Sequence, residues 1–186
     1  SIKVLRGNPA TALIDPYSVM LTPSQARKYF GDEDPMEKTV RFDSQFDFKV
    51  TGIYEDFPST SHMHPGVLLS FNTLKDSVLY GEQNLRTSWS NNSFFTYLLL
   101  PDSYDPQKMI AQFPAFVDRH MAGQYGDGKL PSKFTTLDLQ PLKDIHLYSH
   151  TDYEAEPNGD ISRIYIFAAI ALFVLLIACI NYMNLS

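Results

Sequence analysis

The sequence predicts an α+β domain followed by one helix that crosses a membrane. Three observations carry this. Residues 164–180 form an unbroken apolar run with no charge, no Pro and no Gly. Residues 46–51 alternate Phe46, Phe48 and Val50 against Asp47, Lys49 and Thr51, the period of a half-buried strand. Thr22-Pro23-Ser24-Gln25 has the form of a helix start, with Thr22 as N-cap, Pro23 in the first turn and Gln25 at the capping-box position. Strands are expected to outnumber helices in the part before the apolar run.

Taken in order, Ser1 to Tyr17 offers little pattern, and Ser18–Leu21 reads as a short apolar strand. The helix opened by Thr22 places Ala26, Tyr29 and Phe30 on one face and ends at Gly31, where a positive φ is free to glycine. Asp32 to Glu37 is an acidic turn, followed by strands over Thr39–Phe42 and Phe46–Tyr54. Glu55 to Gly66 is a Pro-, Ser- and His-rich loop, with a lobe seam expected near Ser61 to Gly66, and Val67 to Phe71 reads as a strand followed by a helical or irregular stretch towards Tyr80. Gly81 to Asn92 reads as a polar loop anchored by Trp89, and Phe94–Leu100 as the most strand-like run in the chain. Asp105-Pro106 opens a helix whose stripe is Met109, Ile110, Phe113, Phe116 and Val117, with Pro114 bending it. Gly123 to Gly128 is a turn, and Phe134–Leu142 and Ile145–Tyr148 read as strands.

The final run needs a different solvent. A helix rises about 1.5 Å per residue, so this run with its flanks spans a hydrocarbon core of roughly 30 Å. It keeps no polar stripe, which separates it from a surface helix. Ile164, Phe167, Leu172, Leu176 and Ile180 mark its transmembrane run, and Pro157-Asn158-Gly159 followed by Asp160 supplies the turn and cap at its start. The approach carries Asp152, Glu154, Glu156 and Asp160 against Arg163 alone, the balance of a non-cytoplasmic flank.

Composition narrows the function. Apolar residues make up 44% and aromatic ones 13%, as in a globular chain. The net charge of −6, without any run of Lys or Arg, excludes nucleic acid as a partner. The one cysteine, Cys179, lies inside the apolar run, so the domain before it holds no disulfide. Neither an initiator Met nor a targeting segment is present, and the chain reads as a fragment.

No residue pattern assembles a catalytic or metal site. His62 and His64 form a local pair in a Pro-flanked loop, short of the three or four converging ligands that zinc needs. Asp32, Glu33 and Asp34 are adjacent, so their carboxylates point apart instead of flanking one bond. The glycines of 123–128 precede Lys129, but no Ser or Thr follows it as a phosphate loop requires. Catalytic, cofactor and metal residues are therefore expected to be absent.

Three segments together resemble a known family. Ser18 to Gly31, Asp34-Pro35, and Phe48-Lys-Val-Thr-Gly-Ile-Tyr-Glu-Asp-Phe-Pro58 with Ser61-His62 look like the extracytoplasmic domain of MacB/FtsX-type ABC transporter permeases, in a version typical of Bacteroidetes-like bacteria. Leu139 to Ser149 resembles the last strand region of that domain, and Ile161 to Ser186 the start of the family's second transmembrane helix. Met36-Glu37 departs from relatives, many of which have an apolar residue and Gly there.

The resemblance implies a mixed-sheet periplasmic domain over 1–158, its N-terminal part missing, with a porter-like lobe and an inserted lobe. It implies a transmembrane segment over 160–186. It further implies a non-catalytic permease subunit of the bacterial inner membrane, itself without a cofactor. ATP and Mg would sit on a partner ABC ATPase, the permease would form a homodimer, and periplasmic or outer-membrane proteins could join it. The domain would carry ATP-driven helix motion to export or envelope work (mechanotransmission), with Pro157, Gly159, Asp160 and Arg163 at the coupling point. The alternative is a ligand-sensing ectodomain of a membrane receptor such as a histidine kinase, where an α+β domain also precedes one helix.

Overall fold

The computed structural model describes residues 2–89, 91 and 93–185. The chain divides into two compact units, residues 1–94 and 95–186.

The first unit is built on a five-stranded mixed sheet. Its strands are β1 (Val4–Arg6), β2 (Ser18–Leu21), β3 (Thr39–Phe42), β4 (Phe46–Tyr54) and β5 (Val67–Leu69). The nine-residue β4 organises the others: β1 and β3 lie antiparallel along one of its edges, and β2 lies parallel along the other. β5 closes the far side, antiparallel to β2. The β2–β4 register slips between Val19↔Val50 and Met20↔Gly52, which leaves Thr51 as an extra residue. Its hydroxyl is used there, donating to the Ala12 carbonyl at 2.5 Å. Gly7, at φ +91, passes so close that a Cβ on it would meet the Thr51 carbonyl oxygen at 2.4 Å, and only glycine fits.

Side chains alternate across the sheet, so each face builds its own core. Val19, Leu21, Phe48, Val50 and Ile53 point to one face, where Val40 and Ala26 complete a buried cluster. Met20 and Tyr54 join Ala12 on another, flanked by Val4, Phe57 and Leu68. α1 (Pro23–Phe30) covers the first cluster, with Ala26 buried and Phe30 packed against it, while Tyr29 stays exposed. The Thr22 hydroxyl accepts from the Gln25 N–H as the sequence predicts, and Gly31 ends the helix at φ +63. The acidic turn is pinned from both sides: Asp34 takes both guanidinium nitrogens of Arg6, at 3.0 and 2.9 Å, and Glu33 pairs with Lys38.

Several expectations fail in this unit. β1 was not legible in the patternless first residues, because its pairing with β4 is purely nonlocal. β5 ends at Leu69, two residues before the expected end, while the 3-10 helix at 71–75 falls in the stretch expected to be helical or irregular. Residues 82–87 of the expected polar loop form α2 (Glu82–Thr87), held by an Arg86–Glu82 pair one turn apart at 2.7 Å. Ser90 and Asn92 of that loop lie outside the described residues, and Trp89 keeps 38% of its surface exposed. The lobe seam is not at 61–66, since the chain on both sides of that loop belongs to the same sheet.

The second unit is helical. The Asp105-Pro106 start forms as expected, with the Asp105 carboxylate accepting from the Gln107 N–H at 3.0 Å. The single bent helix resolves into two, α3 (Pro106–Ile110) and α4 (Phe113–His120), with Pro114 tolerated in the first turn of the second. Asp118 of α4 holds the 3-10 turn at 131–133 through the Ser132 N–H and hydroxyl. Neither 94–100 nor 134–142 pairs into a strand, and Ile145–Tyr148 is a helical turn, α5. Strand propensity alone supplies no partner, and a strand is defined by one. An apolar/polar alternation only four residues long fits one helical turn equally well. Among the described residues before α6, five α-helices match five strands, so strands do not outnumber helices as expected. The chain ends in α6 (Ile161–Leu185).

Candidate functional site

The residues singled out at the start of the last helix are gathered by a short connector between α5 and α6. At its near end, one oxygen of Glu154 accepts from the Ser149 hydroxyl at 2.6 Å, the Thr151 N–H at 2.9 Å and the Thr151 hydroxyl at 2.7 Å. These donors favour the charged form, Ser149 most, and pull the Glu154 carboxyl down to about 2. The loop from 149 to 154 is thereby closed around a carboxylate that stays ionised at any physiological pH.

At its far end, the Gly159 N–H donates to the His146 carbonyl of α5 at 2.8 Å. A Cβ at position 159 would stand 3.2 Å from Leu147 Cδ2 and 3.3 Å from the His146 carbonyl oxygen, closer than side chains normally pack. Glycine thus brings the two backbones together. Asp160 follows directly and caps α6, its carboxylate accepting from the Ser162 N–H at 2.7 Å. That hydrogen bond, with the Ser162 side chain and the nearby His150 and Arg163, holds the Asp160 carboxyl below its ordinary range.

Of the four residues expected here, Gly159 and Asp160 make direct contacts. Pro157 is exposed and outside any turn, and Arg163 sits on the first turn of α6 with its N–H on the Asp160 carbonyl. Sequence reasoning missed Glu154 and Ser149 as organisers. Glu154 stood out only as one of four acids, and the hydroxyls that surround it carry no periodic signal.

α6 is 25 residues long and apolar enough to cross a membrane. At about 1.5 Å per residue it measures roughly 37 Å, against a hydrocarbon core of roughly 30 Å. No residue along it is buried: Ile164, Phe167, Leu172, Leu176 and Ile180 are each 48–68% exposed. An apolar surface this large and continuous needs a nonaqueous neighbour.

Elsewhere, among the described residues, no three His, Cys, Asp or Glu side chains converge on a metal position. A His64 ring nitrogen lies 3.0 Å from the Pro58 carbonyl oxygen and pins its own loop. One open depression of the first unit is lined by Ile14, Pro16, Tyr17, Asn72, Lys75 and Asp76. Its polar groups are largely committed to structure. The Tyr17 hydroxyl donates to Asp76 at 2.5 Å and the Asn72 amide to the Ile14 carbonyl at 2.6 Å.

The fold has known counterparts. A crystal structure of a domain assigned to a permease protein of Porphyromonas gingivalis is similar at a TM-score of 0.50 and 22% identity, over 64% of this chain and 48% of that one. This chain thus spans about half the length of that relative. No curated protein matches it. Residues 1–116 match the family of MacB-like periplasmic core domains, a span that holds the whole sheet, α1, and the helices as far as α4. By that match over most of its length, the chain belongs to the MacB-like periplasmic core domain family.

Proposed function

We propose that the chain is part of a non-catalytic permease subunit of an ABC transporter, whose periplasmic domain couples ATP-driven motion of membrane helices to export or envelope work. Residues 1–158 form the periplasmic part, and residues 160–186 begin a transmembrane segment in the bacterial inner membrane. ATP and Mg bind to a partner ATPase and not to this chain. The permease works as a homodimer, and periplasmic or outer-membrane proteins are candidate further partners.

The observation that supports coupling best is the fastening of α6 to α5. A helix is stiff over a few turns, and its start is joined to α5 through the Gly159–His146 hydrogen bond, while Asp160 caps its first turn. A tilt or rotation of α6 then passes into the domain with little slack. Family membership supports the permease reading, and the acid-rich approach supports the periplasmic side.

The experiment is reconstitution of the full-length protein with the ABC ATPase that purifies with it, alongside protease mapping of sealed spheroplasts. The reading expects a stable complex and a domain open to protease from the periplasmic side. Failure to bind any ABC ATPase, or protection of the domain until the cytoplasm is opened, would overturn it.

A further inference from the structure

Two tyrosines beside the membrane helix are left without a role by the coupling reading. Tyr148 ends α5 at 52% exposure, and Tyr153 stands in the connector at 85%. Their depth follows from the geometry already described. The Gly159–His146 hydrogen bond brings α5 beside the residues just before α6, and the Ser149–Glu154 hydrogen bond keeps the loop that holds Tyr153 close to the end of α5. From Ile161 to the first residue of the apolar run, Ile164, the helix climbs about 4.5 Å. The polar layer on each side of the hydrocarbon is roughly 5–8 Å thick, the difference between a whole bilayer and its core. α5 and the connector therefore lie at headgroup depth if α6 crosses the membrane, and this inference rests on that reading.

Tyrosine suits this layer, because its ring prefers the acyl boundary while its hydroxyl remains hydrated. The charges around it choose the lipid. Residues 141–163 carry Asp144, Asp152, Glu154, Glu156 and Asp160 against Lys143 and Arg163, an acidic excess that an anionic surface repels. We infer that Tyr148 and Tyr153 form an interfacial anchor that seats the connector in the headgroup layer of a zwitterionic bilayer. The anchor fixes the height of the domain above the membrane, so that motion of α6 moves the domain instead of sinking it.

The test places tryptophan at single positions of the full-length protein in phosphatidylcholine vesicles brominated either near the headgroup or deep in the chains. Each signal is read as the difference from the parent protein. Tyr148→Trp and Tyr153→Trp should be quenched by shallow bromine and spared by deep bromine, with blue-shifted emission. Phe167→Trp should be quenched by deep bromine. Quenching at 167 without shallow quenching at 148 and 153 overturns the anchor while leaving the membrane helix standing. Absence of quenching at 167 overturns the membrane reading itself. Shallow quenching at 153 that rises when phosphatidylglycerol replaces part of the phosphatidylcholine overturns the choice of a zwitterionic partner.

Discussion

Glu154 accepts three hydrogen bonds on one carboxylate oxygen, and the shape of the connector depends on that oxygen being charged. Its carboxyl is held at about 2, below the ordinary value of about 4.3 for a free Glu. A depressed carboxyl stabilises the folded loop fully above the unfolded value and loses that contribution as pH falls towards the folded one. Amide exchange at Thr151 should therefore stay slow from neutral pH to about pH 4, and after correction for intrinsic rates quicken towards pH 2. Glu154→Ala should show fast exchange at Thr151 already at pH 7; equal protection in the variant would show that the loop closes without the carboxylate. Gly159 presents the opposite case, where what matters is a missing atom. Gly159→Val should loosen the α5–α6 junction, read as faster exchange of its own amide, because Leu147 and the His146 carbonyl already crowd a Cβ at 3.2 and 3.3 Å and the two further methyls of Val need more room.

At the scale of elements, α1 and the three strands β2, β3 and β4 were legible, β1 was not, and the second unit largely was not. The Thr22 cap, Pro23 and Gly31 are local signals, and the structure uses all three as read. β2, β3 and β4 were legible because their side chains alternate or run apolar over the full strand. Thr22→Ala should cost about 1 kcal/mol, the usual worth of an N-cap side chain. Leu21→Ala, in the fully buried centre of β2, should cost about 2–5 kcal/mol. Thermal unfolding of the full-length protein in detergent would rank the two, and a cap variant as damaging as the core variant would contradict this account. The misreadings share a cause. Residues 94–100 and 134–142 are rich in strand-forming side chains, but propensity cannot name the neighbour that would complete a ladder. α2 left one usable signal, the Glu82–Arg86 spacing, inside a segment whose polarity read as loop.

At the scale of the molecule, the long apolar helix was legible outright, since its run without charge, Pro or Gly is long and apolar enough to cross a membrane. The α5–α6 junction was legible only in outline. Gly159 and Asp160 stood out as turn and cap, but the Gly159 bond to α5 required that Ile145–Tyr148 be helical, which the sequence did not indicate. On the proposed reading, the connector carries motion because it is fastened at both ends, by Glu154 and by Gly159. The most direct measurement inserts a flexible Gly-Ser stretch after Gly159 of the full-length permease and compares ATP hydrolysis with transport or envelope output. The account predicts an assembled complex that still hydrolyses ATP while its output is lost. Unchanged output alongside normal hydrolysis would contradict it.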